Sequence, residues 1–245
     1  MTGRFHDTDG MRFLVLLLGL PVLLAASESK TFSSGETRVH LLELYSSEGC
    51  SSCPPAESWL GELRDAPGLW REFVPVAFHV DYWDRLGWRD QFASKAYTAR
   101  QYAYADRWRS ENVYTPEFVL DGAEWRTRSG SNLTLPAAKA GSLSAVYGAD
   151  GTCRVTFAGV GDYEVHAALL GGGITSRVRA GENRGRMLHH DFVALALKTA
   201  RLERGSAELK LPIPSDDGIA RHALAIWITP KNELSPVQAT GGWLD

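Results

Sequence analysis

Apolar positions change their spacing several times along this chain, and the changes divide it. RVHLLELYSS (38–47) is a compact run of strand formers. In PPAESWLGELRD (54–65) the residues Trp59, Leu60 and Leu63 recur at helical spacing, and both prolines fall in the first turn, where a missing N–H costs least. EFVPVAFHVDYWD (72–84) returns to β-branched and aromatic residues, and SKAYTARQYAYADRW (94–108) predicts a second helix. VYTPEFVLDGAEW (113–125) predicts a strand, an Asp121-Gly122 turn and the start of a paired strand, and SNLTLPAAKAGSLSAVYG (131–148) a closing helix. Beyond that, TCRVTFAGV, DYEVHAALLG, SRVRAG, HDFVALALKT, SAELKLPIP and HALAIWITP are short strand-type runs parted by Gly, Pro, Asn and Asp turns, the habit of an antiparallel sandwich. A boundary is expected near 148–151, between a mixed α/β domain (38–148) and a β-rich domain (149–245).

The first 27 residues follow another rule. Met11-Arg12 precedes FLVLLLGLPVLLAA, an uncharged run of 14 residues ending at small residues suited to peptidase cleavage. A spanning helix needs roughly 20 such residues, so residues 1–27 are expected to be a signal peptide, with 1–10 a possible upstream extension and an uncleaved anchor the alternative. Export implies a periplasmic or secreted protein, without stable membrane association after cleavage, in a compartment where disulfides persist. The 245 residues are 44% hydrophobic and 22% charged, with net charge −3 and no Lys/Arg-rich run, so nucleic acid is not an expected partner.

SSEGCSSCPP (46–55) holds the clearest candidate chemistry. Cys-x-x-Cys serves redox exchange, metal binding or simple cross-linking. Here it lies between a predicted strand and a predicted helix, whose unpaired amides and dipole would lower the pKa of Cys50 from about 8.5 and favour the attacking thiolate. Cys53, one turn on, would resolve the mixed disulfide. Thr115-Pro116 opens a strand about sixty residues later. X-Pro is the one common setting for a cis bond, and Thr115 would offer its backbone to a substrate, with a blunted edge strand as the alternative. His79 and Asp81, on one face of the 72–84 strand, could relay a proton to Cys53 or simply fix the loop toward Trp88. Glu43 could be a buried acceptor, though a solvent-facing position is the simpler reading.

The rival metal reading groups Cys50, Cys53 and His79. His189-His190 is a poor pair of ligands, because adjacent strand residues face opposite ways. The polar loop Gly181–Arg186 could reach across to the first domain, Cys153 reads as a small core residue, and Tyr45, Trp83 and Trp88 could rim a peptide-binding surface. No cofactor is called for; the expected partners are protein thiols or disulfides.

ELYSSEGCSSCPPAE, AFHVDYWDRLGWRDQF, TARQYAYA, VYTPEFVLDG and GENRGRMLHH together resemble the bacterial secreted family called domain of unknown function 1223, over roughly Val39 to Pro230. The resemblance implies an α/β thioredoxin-like N-terminal domain followed by a β-rich, sandwich-like C-terminal domain. By analogy it implies thiol-disulfide oxidoreductase activity through Cys50, Cys53, Thr115 and Pro116. A non-catalytic adaptor with a structural disulfide, and a copper-handling protein using the same cysteines, are the alternatives.

Overall fold

A computed structural model describes residues 1–3, 29–126, 133, 135–215 and 218–244. After β1 (Ser29–Ser33) and β2 (His40–Ser46), α1 spans Pro54–Glu62, prolonged by a 3-10 turn at Leu63–Asp65. β3 (Phe73–His79) leads into a 3-10 segment, Asp81–Leu86, and then α2 (Lys95–Trp108), β4 (Glu117–Leu120) and β5 (Ala123–Glu124). Nine strands follow: β6 (Leu143–Gly148), β7 (Thr152–Phe157), β8 (Tyr163–Gly172), β9 (Ile174–Arg177), β10 (Met187–His190), β11 (Val193–Arg201), β12 (Ser206–Lys210), β13 (Arg221–Pro230) and β14 (Gln238–Trp243).

The expected α/β thioredoxin-like N-terminal domain is not what forms. β2 to β5 belong to one eight-stranded mixed sheet ordered β14-β13-β8-β11-β3-β2-β4-β5, so strands from both ends of the chain share a single layer. The fold is β-rich, with two α-helices among the described residues. The parallel join between β11 and β3 is narrow, a single pair at Val193 and Ala77, reinforced by the Ala77 amide donating to the Phe192 carbonyl at 2.8 Å. Side chains make the union firm. One core contains Leu41, Leu44 and Phe78 from β2 and β3, Leu60, Tyr97 and Tyr104 from the helices, and Ala168, Leu170, Ala225 and Trp227 from β8 and β13.

A smaller sheet, β1-β6-β7-β12, covers the opposite face of the large one. Alternation along β8 and β13 serves both cores: Ala168, Leu170, Ala225 and Trp227 face the helices, while Ala167, Leu169, Leu224, Ile226 and Ile228 face Leu143, Tyr147, Cys153 and Val155 of the small sheet. Fully burying each such leucine or isoleucine contributes about 1.5–3 kcal/mol. This packing gives a sandwich, but its larger sheet is built from both halves of the chain. β2 and β3 are buried at every position, which explains the near-continuous apolar run of β3 and requires the polar Glu43 within β2 to find buried partners.

Of the predicted closing helix over 131–148, the described residues 133 and 135–148 form loop and β6 instead. Leu143, Ala145 and Tyr147 are buried alternately with Ser144 and Val146, a period of two that the alanine content disguises. Of residues 1–27, expected to form the signal with 1–10 a possible upstream extension, 4–27 lie outside the described set. Among described residues no helix is long and apolar enough to cross a membrane.

Candidate functional site

Cys50 and Cys53 lie between the end of β2 and α1 and are joined by a disulfide, with 5.5 Å between their Cα atoms. Cys53 is the N-cap of α1, and Pro54 and Pro55 fill its first turn as expected. That arrangement takes away most of the helix-start donors on which thiolate stabilisation at Cys50 was expected to rest. The prolines have no N–H, the Ala56 and Glu57 amides both donate to the Cys53 carbonyl (2.9 and 3.1 Å), and the Ser51 amide donates to the Glu182 carboxylate at 3.0 Å. The Cys50 sulfur has instead the Ser52 hydroxyl at 3.3 Å and the Thr115 carbonyl at 3.7 Å. Both sulfurs are buried, while Ser51 and Ser52 are exposed.

Thr115-Pro116 is a cis peptide beside this loop, and the Thr115 hydroxyl accepts from Trp83 Nε1 at 2.8 Å. Next to it lies a cavity of about 370 Å³ lined by Ser52, Ala56, Trp59, Pro116, Phe118 and Trp125. The expected aromatic rim is therefore corrected: Tyr45 is fully buried against Phe78 and Tyr104, and Trp88 is tied to Glu48, so other aromatics line the groove. The loop Gly181–Arg186 does reach the cysteines. Asn183, fully buried, donates from Nδ2 to the carbonyls of Glu48 (2.9 Å) and Cys50 (2.8 Å).

Beneath the loop lies a buried polar cluster that sequence reasoning did not assemble. His79 donates from Nδ1 to Asp90 at 2.7 Å, and its Nε2 stands 3.8 Å from Glu57 Oε1. His190, on β10, contacts Glu57 through Nδ1 and places Nε2 3.3 Å from Glu48 Oε1. Ser46 also bonds Glu57, and the Trp88 indole bonds Glu48 Oε2 at 2.6 Å. Burial alone would push the His190 pKa down, but the Glu48 and Glu57 carboxylates reverse this and raise it to about 10. Burial likewise opposes charge on His79, where Asp90 and Glu57 prevail and the pKa rises. For Asp90, burial favours the neutral acid, yet His79 and the Glu48 and Phe92 amides bring its pKa to about 2.

Several expected roles dissolve in this arrangement. β3 ends at His79, so Asp81 does not share a strand face with it; Asp81 starts the following 3-10 segment and accepts from the Thr98 hydroxyl at 2.6 Å. Glu43 is buried rather than solvent-facing, and its oxygens accept from Arg100 (2.7 and 3.0 Å), Tyr45 (3.0 Å) and Tyr104 (2.5 Å), which leaves it no role as a relay. The rival metal trio does not gather either: among the described residues, the metal-competent group that His79 joins is Glu57, His79 and His190, without a cysteine. Cys153 is a buried free thiol as expected, its pKa raised by burial to about 11. Glu57 carried one legible signal, a place on the same helical face as Leu60 and Gly61, all three buried; its partner on β10 carried none.

Fold and site define a β-rich protein with an oxidised Cys-x-x-Cys loop, its sulfurs buried, pinned above a histidine-carboxylate cluster. The chain belongs to the family described as protein of unknown function, DUF1223, whose family model matches residues 41–229. No curated protein matches it. Among solved structures, the crystal structure of an Agrobacterium tumefaciens protein is similar over 84% of this chain and 94% of its own, with 25% identity and a TM-score of 0.57. HBP35 of Porphyromonas gingivalis is similar over 86% of this chain and 77% of its own, at 14% identity and a TM-score of 0.55, a likeness of fold alone.

Proposed function

We propose that this protein is an exported thiol-disulfide oxidoreductase acting on protein partners through Cys50 and Cys53. The observation that carries the reading is the place of the Cys50 sulfur, 3.7 Å from the Thr115 carbonyl, beside a groove lined by Trp59, Pro116, Phe118 and Trp125. An extended partner lying in that groove would pair its backbone with Thr115 and bring its own sulfur to Cys50. In the reducing direction the Cys50 thiolate attacks a partner disulfide, one partner sulfur leaves as a thiolate, and the Cys53 thiolate then displaces the second, closing the Cys50-Cys53 bond. Two electrons pass to the partner, and the reverse sequence oxidises it. Because both sulfurs are buried, entry requires Ser51 and Ser52 to swing aside and the Glu182 and Asn183 contacts to break.

A second reading has its own support. Buried sulfurs beside amides of Ser51, Cys53, Ala56 and Glu57 that already have acceptors suit a permanent cross-link in a binding or adaptor protein. Two measurements separate the readings. Under exchange, a Cys53→Ser variant expressed in its own compartment accumulates mixed disulfides through Cys50, and the wild-type pair has a reduction potential above about −300 mV. A folded variant that captures nothing, with a wild-type potential below that value, establishes the cross-link.

A further inference from the structure

We propose that Glu57, His79 and His190 form a binding site for a divalent transition-metal ion, with a donor set suited to Zn²⁺. One donor atom from each lies within 4.8 Å of the others, and all three residues are buried. Two imidazoles and one carboxylate make a recurrent zinc donor set. Calcium and magnesium prefer all-oxygen shells and Cu(I) prefers thiolates, which the disulfide withholds here.

Unanswered polar atoms point to a missing occupant. The one that faces the cluster is His79 Nε2, buried and without a hydrogen-bond partner; the other two, His190 Nε2 and Glu48 Oε1, face each other at 3.3 Å on its outer side. Leaving such an atom unsatisfied is costly, so natural cores rarely do it without cause. His79 Nε2 stands 3.8 Å from Glu57 Oε1, too far for a hydrogen bond. Ligand atoms about 2.0–2.2 Å from a tetrahedral zinc sit about 3.4 Å apart, so around an ion the His79–Glu57 pair closes slightly while the direct His190–Glu57 contact opens.

The surroundings also match a metal centre. Asp90 accepts from His79 Nδ1, so Nε2 is the nitrogen left toward Glu57, and it becomes a ligand when an ion displaces its proton. Glu48 Oε1 stands 3.3 Å from His190 Nε2, unaligned for a hydrogen bond, while His190 Nδ1 faces Glu57. Each imidazole thus has an outer carboxylate and an inner nitrogen, as in carboxylate-histidine-zinc triads. The carboxylates of Glu48, Glu57 and Asp90 supply negative charge that a divalent cation offsets. Access comes from a cavity of about 360 Å³ on whose wall Glu57, Gly61, Gly173, His190 and Asp191 meet. β10 delivers His190 to the cluster and sends His189 outward.

The test uses the whole protein, stripped with a chelator while its disulfide stays oxidised. Calorimetric titration with ZnCl₂ is expected to show one tightly held equivalent per chain. Co²⁺ in its place should give visible d–d bands without the near-ultraviolet thiolate charge-transfer band. Asp90→Asn is expected to weaken Zn²⁺ binding by about 10- to 100-fold, His79→Gln and His190→Gln to remove it, and His189→Gln to leave it intact. The proposal is overturned if the folded wild type takes up no stoichiometric Zn²⁺, if a thiolate band appears with Co²⁺, or if folded His79→Gln and His190→Gln variants bind as the wild type does. Should those variants fail to fold, the wild-type titration and cobalt spectrum decide alone.

Discussion

Two buried charged clusters flank the same strands and follow opposite rules. Around Glu43 every acceptor is answered: Arg100 grips both oxygens, Tyr45 and Tyr104 add one bond each, and the guanidinium also lies over the rings of Phe78, Tyr104 and Trp227. Burial and then Glu43 hold the pKa values of both tyrosines well above their ordinary range, so the hydroxyls stay donors. Around Glu57 the groups are equally buried, yet nitrogen and oxygen atoms remain without partners. A saturated cluster holds a fold together and has nothing left to offer. An unsaturated one keeps its valences for something else, and the cost of doing so has to be recovered from what binds.

The largest test of that contrast is Arg100→Met, which leaves the Glu43 charge buried with only two phenols. A loss of about 3–5 kcal/mol in urea unfolding is expected, and a loss below about 1 kcal/mol would show that Glu43 is far less dependent on its cation than the geometry implies. The counterpart beside the Glu57 cluster is Asn183→Ala on the cysteine loop, which strips one donor from the carbonyls of Glu48 and Cys50. About 1–3 kcal/mol should be lost, and dithiothreitol should reduce the disulfide faster; an unchanged reduction rate would mean that Asn183 does not keep the loop closed.

The smallest effect concerns Glu117, an intermediate case with one side-chain donor, Gln101 at 2.7 Å. Burial raises its pKa from 4.5 to about 7 against the pull of that donor. Between those two values the folded chain holds more protons than the unfolded one, so unfolding free energy falls as pH rises through the window and levels off above it. Glu117→Gln should flatten that part of the stability-pH curve relative to wild type. A curve that keeps the same fall would assign the slope to another group.

Much of the local structure was legible in the sequence. α2 follows the predicted span closely, with Tyr97, Arg100, Gln101, Tyr104 and Ala105 on its buried face, and β2, α1, β3, β4 and β5 lie where the apolar runs and the Asp121-Gly122 turn put them. Local periodicity does not report which strands become neighbours, and for that reason β11 docking beside β3, and the loss of a separate α/β domain, were not visible. β14 was missed because QATGGW carries two glycines and little strand signal. At the site, Cys50, Cys53, Thr115 and Pro116 do gather. Glu48 and Asp90 were overlooked, and His190 was set aside together with His189, because their partners lie far along the chain; Glu43 was misplaced because its answering arginine lies on α2.

His190 arrives from β10, after the turns of seven intervening strands, to meet groups that the chain laid down near its beginning. No nascent or truncated chain that stops before β10 can present that constellation. The cluster is thus a seal on an intermediate stage: whatever settles there certifies that β10 has found the segments laid down around α1 and β3.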